Sequence, residues 1–189
     1  NGVFTACSVG FLSPTKERKN WNWGTTTSQS LFDCASITKV WPTSELISLA
    51  FAKGSLHPDQ VLEFYLEEML GTSAGKHTLK ELQNFLVEWK ITLSEQKHLT
   101  ADKLLQKLML TTTIPSKKPI YSNATSIFLG KILEETSGQR LDELAQEKLF
   151  GPLGLKRTGF FPKNIDSQHI IPSEIDPWRG REIRGEVHD

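Results

Sequence analysis

A serine and a lysine three residues apart, Ser36 and Lys39, lie in the stretch of this sequence best suited to chemistry, FDCASITK at 32–39. A serine hydroxyl is a poor nucleophile until a neighbouring base takes its proton, and a lysine amine serves as that base when burial lowers its pKa. At the start of a helix, residues three apart face the same way. The spacing therefore predicts a nucleophile beside its proton acceptor. The burial is expected from three apolar neighbours, Ile37, Val40 and Trp41.

Spacing alone does not identify the reactive serine, because the same Ser-x-x-Lys pattern recurs at Ser13, Ser73 and Ser94. These three serines fall in a predicted turn, a glycine-rich loop and a polar linker. Ser36 differs, because an apolar helical stretch that ends at Gly54 follows it. The alternative at Ser36 is a serine N-cap with an exposed lysine, which requires no chemistry of either side chain.

A second polar pair, Tyr121 and Asn123, stands just before a predicted helix in PIYSNATSIFLG. Side chains two apart in an extended segment project in the same direction, so a phenol and a carboxamide are placed to enter one cleft. The phenol would relay protons and the amide would bind a substrate carbonyl. The alternative is a buried tyrosine followed by Asn123 as the N-cap of the helix.

The composition argues against several classes of function. The 22 Lys and Arg balance the 22 Asp and Glu, so no nucleic-acid partner is expected. No apolar run approaches the ~18 residues of a membrane span. The five histidines show no metal-binding spacing, and GTSAGKHT at 71–78 lacks the spacing of a phosphate-binding loop. No metal or other cofactor is therefore expected.

The two cysteines, Cys7 and Cys34, are too few for a disulfide scaffold or a structural zinc site. A bridge between them would require their Cα atoms to lie within about 7 Å of each other, which the sequence does not establish. Buried free thiols are the expected state, because unpaired cysteine behaves as a small apolar residue.

A β-hairpin is predicted at the start, because 3–12 and 19–27 are rich in β-branched and aromatic residues and a Ser-Pro turn separates them. Trp21 and Trp23 lie two apart and so share one face of the second strand. They could form a sugar-stacking platform, but a packed sheet face is the simpler interpretation. Because a two-stranded hairpin is not stable alone, further strands are expected outside these 189 residues.

Helical periodicity replaces the strand pattern from residue 36 to about 150. After the helical stretch that ends at Gly54, which is the first predicted helix, further helices are predicted at 59–70, 79–89, 101–110, 124–137 and 141–150. The pattern is weakest at 59–70. Thr78 and Glu81 form a capping box before the second of these, and Thr100 caps the third. Gly138 and Gly151 end the last two. These segments predict a helical section that carries both polar pairs.

The order of elements predicts an α+β fold in a single, incomplete domain. A hairpin at 1–30 is followed by the helical section at 31–150 and by a loop-rich return toward the sheet at 151–189, which becomes strand-like at REIRGEV. The sequence opens within a strand pattern and stops at RGEVHD without a tail. We therefore expect more chain before the first residue and after the last.

Taken together, the two polar groups resemble those of the serine β-lactamase and penicillin-binding-protein superfamily. The resemblance is greatest to the branch of class C β-lactamases, D-alanyl-D-alanine carboxypeptidases and family VIII esterases. That superfamily pairs Ser-x-x-Lys with Tyr-x-Asn or Ser-x-Asn and with a third motif, Lys-Thr-Gly or a variant. FDCASITK is similar to the first motif and YSN at 121–123 to the second. The segments AKGSLHPDQVLEFYL and IFLGKILEETSGQRLDELAQEKLFGPLGLKRTGF extend the similarity from about residue 31 to 160.

The resemblance implies a role for each residue. Ser36 would be the acylated nucleophile and Lys39 its proton acceptor or electrostatic activator. Tyr121 would assist proton transfer to the leaving group, and Asn123 would hold the substrate's amide. The oxyanion hole would combine the backbone N–H of Ser36 with one from the strand that carries the third motif.

The implied fold is β-lactamase-like, an antiparallel sheet flanked by helices plus a helical region. The implied protein hydrolyses a small molecule or peptide, a β-lactam, a D-Ala-D-Ala peptide or an ester, through an acyl-enzyme. It would be periplasmic or secreted. The resemblance indicates no oligomeric state.

Three features depart from the family pattern. No Lys-x-Gly or His-x-Gly occurs, so the third motif is missing, although GEVHD resembles the segment that precedes it. These 189 residues are therefore expected to be inactive or only marginally folded. Pro42 is expected to kink the first helix. The region 78–95 lacks the His-Thr-Ser-Gly loop that relatives often carry.

Two alternatives to a hydrolase stay open. A non-catalytic relative would use the same cleft to bind peptidoglycan peptides or a partner, and it would not need Lys39. An unrelated α+β domain with chance motifs predicts a Ser36 no more reactive than Ser13, Ser73 or Ser94.

Overall fold

The computed structural model describes residues 4, 6–160, 166–173 and 175–186. The chain divides into two compact units, one formed by Asn1–Ala35 with Phe160–Asp189 and the other by Ser36–Gly159. Strands dominate the described part of the first unit and helices that of the second. The α+β prediction is confirmed. That residues 1–189 form one incomplete domain stays a prediction.

The first unit contains the predicted hairpin. Strand β1 (Ala6–Leu12) pairs antiparallel with β2 (Arg18–Gly24), and the second strand is shorter than the sequence predicted. Ser13 closes the turn, because its Oγ accepts a hydrogen bond from the Glu17 N–H at 2.9 Å. The hairpin is confirmed from Ala6 onward, and part of the predicted 3–12 lies outside the described residues.

One face of this hairpin is apolar and open. Val9 lies opposite Trp21 in the ladder, and residues directly opposite share a face. The indoles of Trp21 and Trp23 are 44% and 51% exposed. The packed sheet face expected for the two tryptophans is therefore wrong within the described residues, where the sheet has two strands and leaves about half of each tryptophan exposed. The side chains of Val9, Phe11, Trp21 and Trp23 form this apolar face.

A second, short hairpin lies near the end of the described chain. Strands β5 (Ile175–Asp176) and β6 (Arg181–Glu182) pair antiparallel. The Asp176 carboxylate is buried, and it accepts the Arg179 N–H at 2.6 Å while its other oxygen lies 3.1 Å from the Arg179 guanidinium. The strand predicted at 181–187 is confirmed only over its first two residues, and its last residue lies outside the described part.

Six α-helices, several shorter helical turns and one small sheet build the described second unit. The α-helices are α1 (Glu45–Lys53), α2 (Leu62–Tyr65), α3 (Leu79–Gln83), α4 (Ala101–Met109), α5 (Asn123–Ser137) and α6 (Leu141–Ala145). A π-helical turn, Gln146–Phe150, continues α6, so the three predicted helices from 101 to 150 are confirmed. Gly54 and Gly138 end α1 and α5 in the left-handed conformation that glycine adopts without a steric penalty. The helix predicted at 59–70 is reduced to α2 and one 3₁₀ turn.

The helix predicted at 79–89 is wrong beyond Gln83. The capping box forms as expected, but α3 ends after five residues and Phe85 adopts φ +56°. Strand β3 (Val87–Trp89) follows and pairs with β4 (Thr113–Pro115). Val87 and Trp89 are both buried, so this segment follows the two-residue alternation of a strand.

The first helix is kinked at Pro42, as the sequence predicted. A π-helical turn over Lys39–Ser44 precedes α1, and within it Trp41 has the non-helical φ and ψ of −124° and 110°. The Trp41–Pro42 peptide bond is cis. The Trp41 ring packs against the Phe150 ring with centroids 6.0 Å apart.

Both cysteines are free thiols. Cys7 is half-buried and Cys34 is exposed, so the expectation that both thiols are buried is wrong. Cys34 precedes the helical turn that starts at Ser36, and this irregular segment leaves its side chain in solvent.

Helix α5 forms the centre of the second unit's core. The Phe128 side chain has no exposed area and stacks on the Trp89 ring at 5.1 Å. Phe128→Ala is expected to lower the free energy of unfolding by about 3–5 kcal/mol, because it removes the buried ring and leaves a cavity. Urea unfolding would measure this loss. The neighbouring Ile127→Ala, whose side chain is 38% exposed, is the control and should lose much less; equal losses would contradict the packing described here.

His77 is a buried titratable group away from the polar pairs. Its Nε2 lies 2.9 Å from Thr113 Oγ1 and its Nδ1 3.7 Å from a Glu81 carboxylate oxygen. Burial lowers the pKa of His77, and the weaker effect of Glu81 opposes this change. His77 therefore takes up a proton at a lower pH in the folded state than in the unfolded chain.

The low pKa of His77 predicts acid-sensitive stability. The contribution of His77 to the free energy of unfolding should be fully present above about pH 6.5, the pKa of histidine in the unfolded chain. It should be lost as the pH falls toward the lower pKa of the folded state, and the folding equilibrium constant should fall by at most about tenfold per pH unit. Urea unfolding between pH 8 and 5 would measure the slope. His77→Gln should flatten it, and the exposed His98→Gln should not. An unchanged slope in His77→Gln would contradict this assignment.

Candidate active site

Ser36 begins a helical turn directly after a strained residue. Ala35 has φ +41°, a left-handed conformation that costs a residue other than glycine about 1–2 kcal/mol. The Asp33 carboxylate accepts the Ala35 N–H at 2.7 Å, a local hydrogen bond that supports this conformation of Ala35. The Lys39 N–H then donates to the Ser36 carbonyl at 3.1 Å, which closes the first turn with both side chains on one side.

Three of the four predicted site residues meet at one oxygen atom. Lys39 Nζ donates to Ser36 Oγ at 2.8 Å, and Tyr121 Oη donates to the same oxygen at 2.6 Å. Lys39 Nζ also lies 5.2 Å from the centroid of the Tyr121 ring, within range of a cation–π interaction. The structure thus brings the two separately predicted polar groups into one cluster.

This arrangement suits activation of a hydroxyl. Either partner is within the distance at which a proton passes directly between heavy atoms. A lysine that keeps its proton would instead stabilise the serine alkoxide as a neighbouring cation. Both Ser36 and Lys39 are half-buried, so the contacts are partly shielded from water.

The sequence predicted that Ile37, Val40 and Trp41 bury the Ser36–Lys39 pair, and this prediction is wrong for two of the three. Ile37 and Val40 are 60% and 63% exposed. Their positions follow from the turn itself, because residues 37 and 40 share the face next to the one that Ser36 and Lys39 occupy. Trp41 is half-buried.

Tyr121 is held by a residue that the sequence pattern did not single out. Its side chain is 65% exposed, and its ring stacks on Phe85 with centroids 5.7 Å apart and planes at 13°. Phe85 falls within the helix that the sequence predicted at 79–89, so its contact with the site was missed. The strand-like run FLVEW at 85–89 was the signal that the helix ends earlier.

Asn123 is the first residue of α5, two positions after Tyr121. The N-cap is Ser122, whose Oγ accepts the Ala124 N–H at 3.2 Å. The alternative of a buried tyrosine followed by Asn123 as N-cap is therefore wrong on both counts. The Asn123 side chain is half-buried, with its Oδ1 atom out of solvent. Its role in holding a substrate amide stays a prediction.

The three other Ser-x-x-Lys serines have different surroundings. Ser13 stabilises the hairpin turn. Ser73 Oγ accepts the Thr113 N–H at 3.0 Å and donates to the Thr111 carbonyl at 3.3 Å, so it ties a loop to β4. Ser94 is exposed in a 3₁₀ turn, Leu93–Gln96. Ser36 is the copy whose hydroxyl meets both its lysine and a tyrosine.

The described residues contain neither a metal-binding cluster nor a membrane-spanning helix. Among them, no group of three or more His, Cys, Asp or Glu side chains is placed to hold a metal ion. Within the same ranges, no helix is both long enough and apolar enough to cross a bilayer.

Comparison with known proteins assigns the family. The model of the Beta-lactamase family matches residues 10–172, and the chain belongs to this family. A protein of Escherichia coli O157:H7 described as a "Putative D-alanyl-D-alanine carboxypeptidase" is 29% identical over 86% of this chain and 41% of its own length. A Salmonella typhimurium protein of the same description is 25% identical, with the same coverage. The chain thus spans about two fifths of the length of these curated relatives.

Solved structures confirm the fold. A β-lactamase/D-alanine carboxypeptidase from Pseudomonas syringae superposes with a TM-score of 0.66 at 22% identity, over 80% of this chain and 45% of that one. The D-amino acid amidase from Ochrobactrum anthropi SV3 superposes with a TM-score of 0.70 at 19% identity, over 85% and 52%. The predicted β-lactamase-like fold is therefore confirmed.

Proposed function

We propose that this chain carries the acylation centre of a serine hydrolase that forms an acyl-enzyme on an amide or ester bond. The observation that supports this most directly is the placement of Lys39 Nζ and Tyr121 Oη at 2.8 Å and 2.6 Å from Ser36 Oγ. Membership of the Beta-lactamase family supports a hydrolase in general terms.

In the proposed reaction, Ser36 Oγ attacks the substrate carbonyl carbon as its proton passes to Lys39 or Tyr121. The carbonyl oxygen becomes an oxyanion, which the backbone N–H of Ser36 would stabilise. Collapse of the tetrahedral intermediate breaks the bond to the leaving group, which takes a proton through Tyr121. Water then attacks the acyl carbonyl carbon, the bond from that carbon to Ser36 Oγ breaks, and the carboxylic acid product leaves. A proton given up by the water returns to Ser36 Oγ.

The proposed substrates are a β-lactam, a D-Ala-D-Ala peptide or a small ester. The names of the relatives, a carboxypeptidase, a β-lactamase and an amidase, all describe hydrolysis of an amide bond and so favour the first two. Asn123, two residues beyond Tyr121, is proposed to bind the substrate's amide. Export from the cytoplasm is part of the same proposal.

We propose further that these 189 residues react with a substrate but turn it over slowly or not at all. The sequence holds no third motif, so the second N–H of the oxyanion hole is not supplied by the family's usual strand. Loss of one such donor lowers turnover by about 10²–10³-fold. The second candidate is a relative that binds peptides in this cleft without cleaving them.

Covalent labelling tests the proposed function. The 189-residue chain is incubated with a fluorophosphonate and, separately, with a fluorescent penicillin, and the adduct is located by peptide-mapping mass spectrometry. The expected result is one adduct, on Ser36. A folded chain that acquires no adduct from either probe would favour the binding function, and equal labelling of Ser13, Ser73 and Ser94 would indicate chance motifs.

A further inference from the structure

We propose that Phe85 is a positioning residue that holds the Tyr121 phenol against Ser36. This inference rests on the proposed function, because it assigns Phe85 to the reaction that Ser36 and Tyr121 would perform. It concerns a side chain that touches neither the nucleophile nor the lysine in the contacts described above and that acts through the tyrosine.

The first observation is that burial does not fix the Tyr121 ring. The side chain is 65% exposed, and an exposed tyrosine samples several rotamers unless specific contacts restrict it. The nearly parallel Phe85 ring, 5.7 Å away, provides such a contact along the face of the phenol. With the ring restricted, Oη is kept at hydrogen-bonding distance from Ser36 Oγ.

The second observation is that the backbone of Phe85 is tied to the segment that leads to Tyr121. The Phe85 carbonyl accepts the Ile120 N–H at 2.8 Å, and the Leu86 carbonyl accepts the Ser116 N–H at 2.8 Å. Both bonds extend the pairing of β3 with β4 toward the site. The backbone that carries the Phe85 ring is therefore hydrogen-bonded to the residue that directly precedes Tyr121.

The third observation is the backbone conformation of Phe85 itself. At φ +56° a bulky residue is an outlier, while glycine or asparagine adopts this region readily. Such outliers gather at functional sites, where the surroundings enforce them. The local backbone would favour a small residue at this position, whereas the stack on Tyr121 requires a ring.

A double-mutant cycle tests whether Phe85 acts through Tyr121. The readout is the second-order rate constant for labelling of Ser36 by the fluorophosphonate. Phe85→Asn keeps the left-handed backbone and removes the ring, so it should slow labelling by about tenfold. Tyr121→Phe should slow it more, by about 10²-fold. Phe85→Asn added to Tyr121→Phe should change the rate by no more than about twofold.

Two further variants separate positioning from folding. Phe85→Tyr keeps an aromatic ring at this position, so its Ser36 should be labelled at a rate close to that of the wild type. Phe64→Asn removes the ring of the other phenylalanine–tyrosine pair, Phe64 with Tyr65, and should leave the rate unchanged. If the loss caused by Phe85→Asn persists in full in the Tyr121→Phe background, or if Phe85→Asn labels as fast as the wild type, the inference is overturned.

A spectroscopic measurement decides the positioning even in a chain that no probe labels. The sequence has two tyrosines, so incorporation of 3-fluorotyrosine gives two ¹⁹F signals, and Tyr121→Phe assigns them. Phe85→Asn should shift the Tyr121 signal toward that of free fluorotyrosine and leave the Tyr65 signal in place. Phe64→Asn should do the reverse. A Tyr121 signal unmoved by Phe85→Asn would overturn the inference, whereas absence of labelling in the wild type would count against the proposed function alone.

Discussion

Ser36→Ala is expected to abolish covalent labelling of the 189-residue chain by both the fluorophosphonate and the fluorescent penicillin. The substitution removes the only atom that accepts hydrogen bonds from both Lys39 and Tyr121 among the contacts described above. Without Oγ there is no bond for the acyl or phosphonyl group to form, so the expected loss is complete. Intact-mass spectrometry of the variant and the wild type would measure it.

The matched control for this experiment is Ser94→Ala. Ser94 has the same Ser-x-x-Lys spacing, but its side chain is exposed in a 3₁₀ turn. This variant should be labelled like the wild type. Labelling that survives Ser36→Ala would contradict the assignment of the nucleophile, and peptide mapping would show which residue reacts instead.

Lys39→Met is expected to slow labelling of Ser36 by roughly 10³-fold, because it removes the group that takes the proton or stabilises the alkoxide. Methionine keeps a similar length and loses the amine, so the turn should persist. Stopped-flow or time-resolved mass spectrometry with the fluorophosphonate would measure the rate. Lys53→Met, at the exposed end of α1, is the control and should label at the wild-type rate.

The same variant separates an enzyme from a binding protein. A hydrolase needs Lys39 for the covalent step, whereas a binder of peptidoglycan peptides does not. Equilibrium binding of a D-Ala-D-Ala peptide to Lys39→Met, set beside its labelling rate, therefore distinguishes the two. Retained affinity with no labelling in either the variant or the wild type would favour the binding function.

The local part of the site could be predicted from the sequence, because helix geometry places residues three apart on the same side. Ser36 and Lys39 meet for this reason, and the capping box at Thr78 and the ends of α1 and α5 follow from similarly local rules. The meeting of Tyr121 with Ser36 has no local cause. It was expected only from the family resemblance.

The errors also have physical reasons. From residue 79 to 89 the apolar positions fit a helical period, yet Val87 and Trp89 also fit a strand, and pairing with β4 decides between them. The exposure of Trp21 depends on what covers the sheet, which strand periodicity does not reveal. Periodicity therefore predicted where helices and strands lie more reliably than it predicted which segments contact each other. Phe85 was misassigned because its role depends on its contact with Tyr121.

The hydrogen bond from Tyr121 to Ser36 joins residues 85 positions apart. Closing a loop of that length costs about 4 kcal/mol in chain entropy, more than the ~0.5–1.5 kcal/mol that one hydrogen bond contributes. The cluster therefore does not assemble on its own and depends on the core of the second unit to bring its two halves together. Reactivity at Ser36 thus becomes a folding assay, because the initial rate of labelling rises with the fraction of molecules in which this long-range contact has formed.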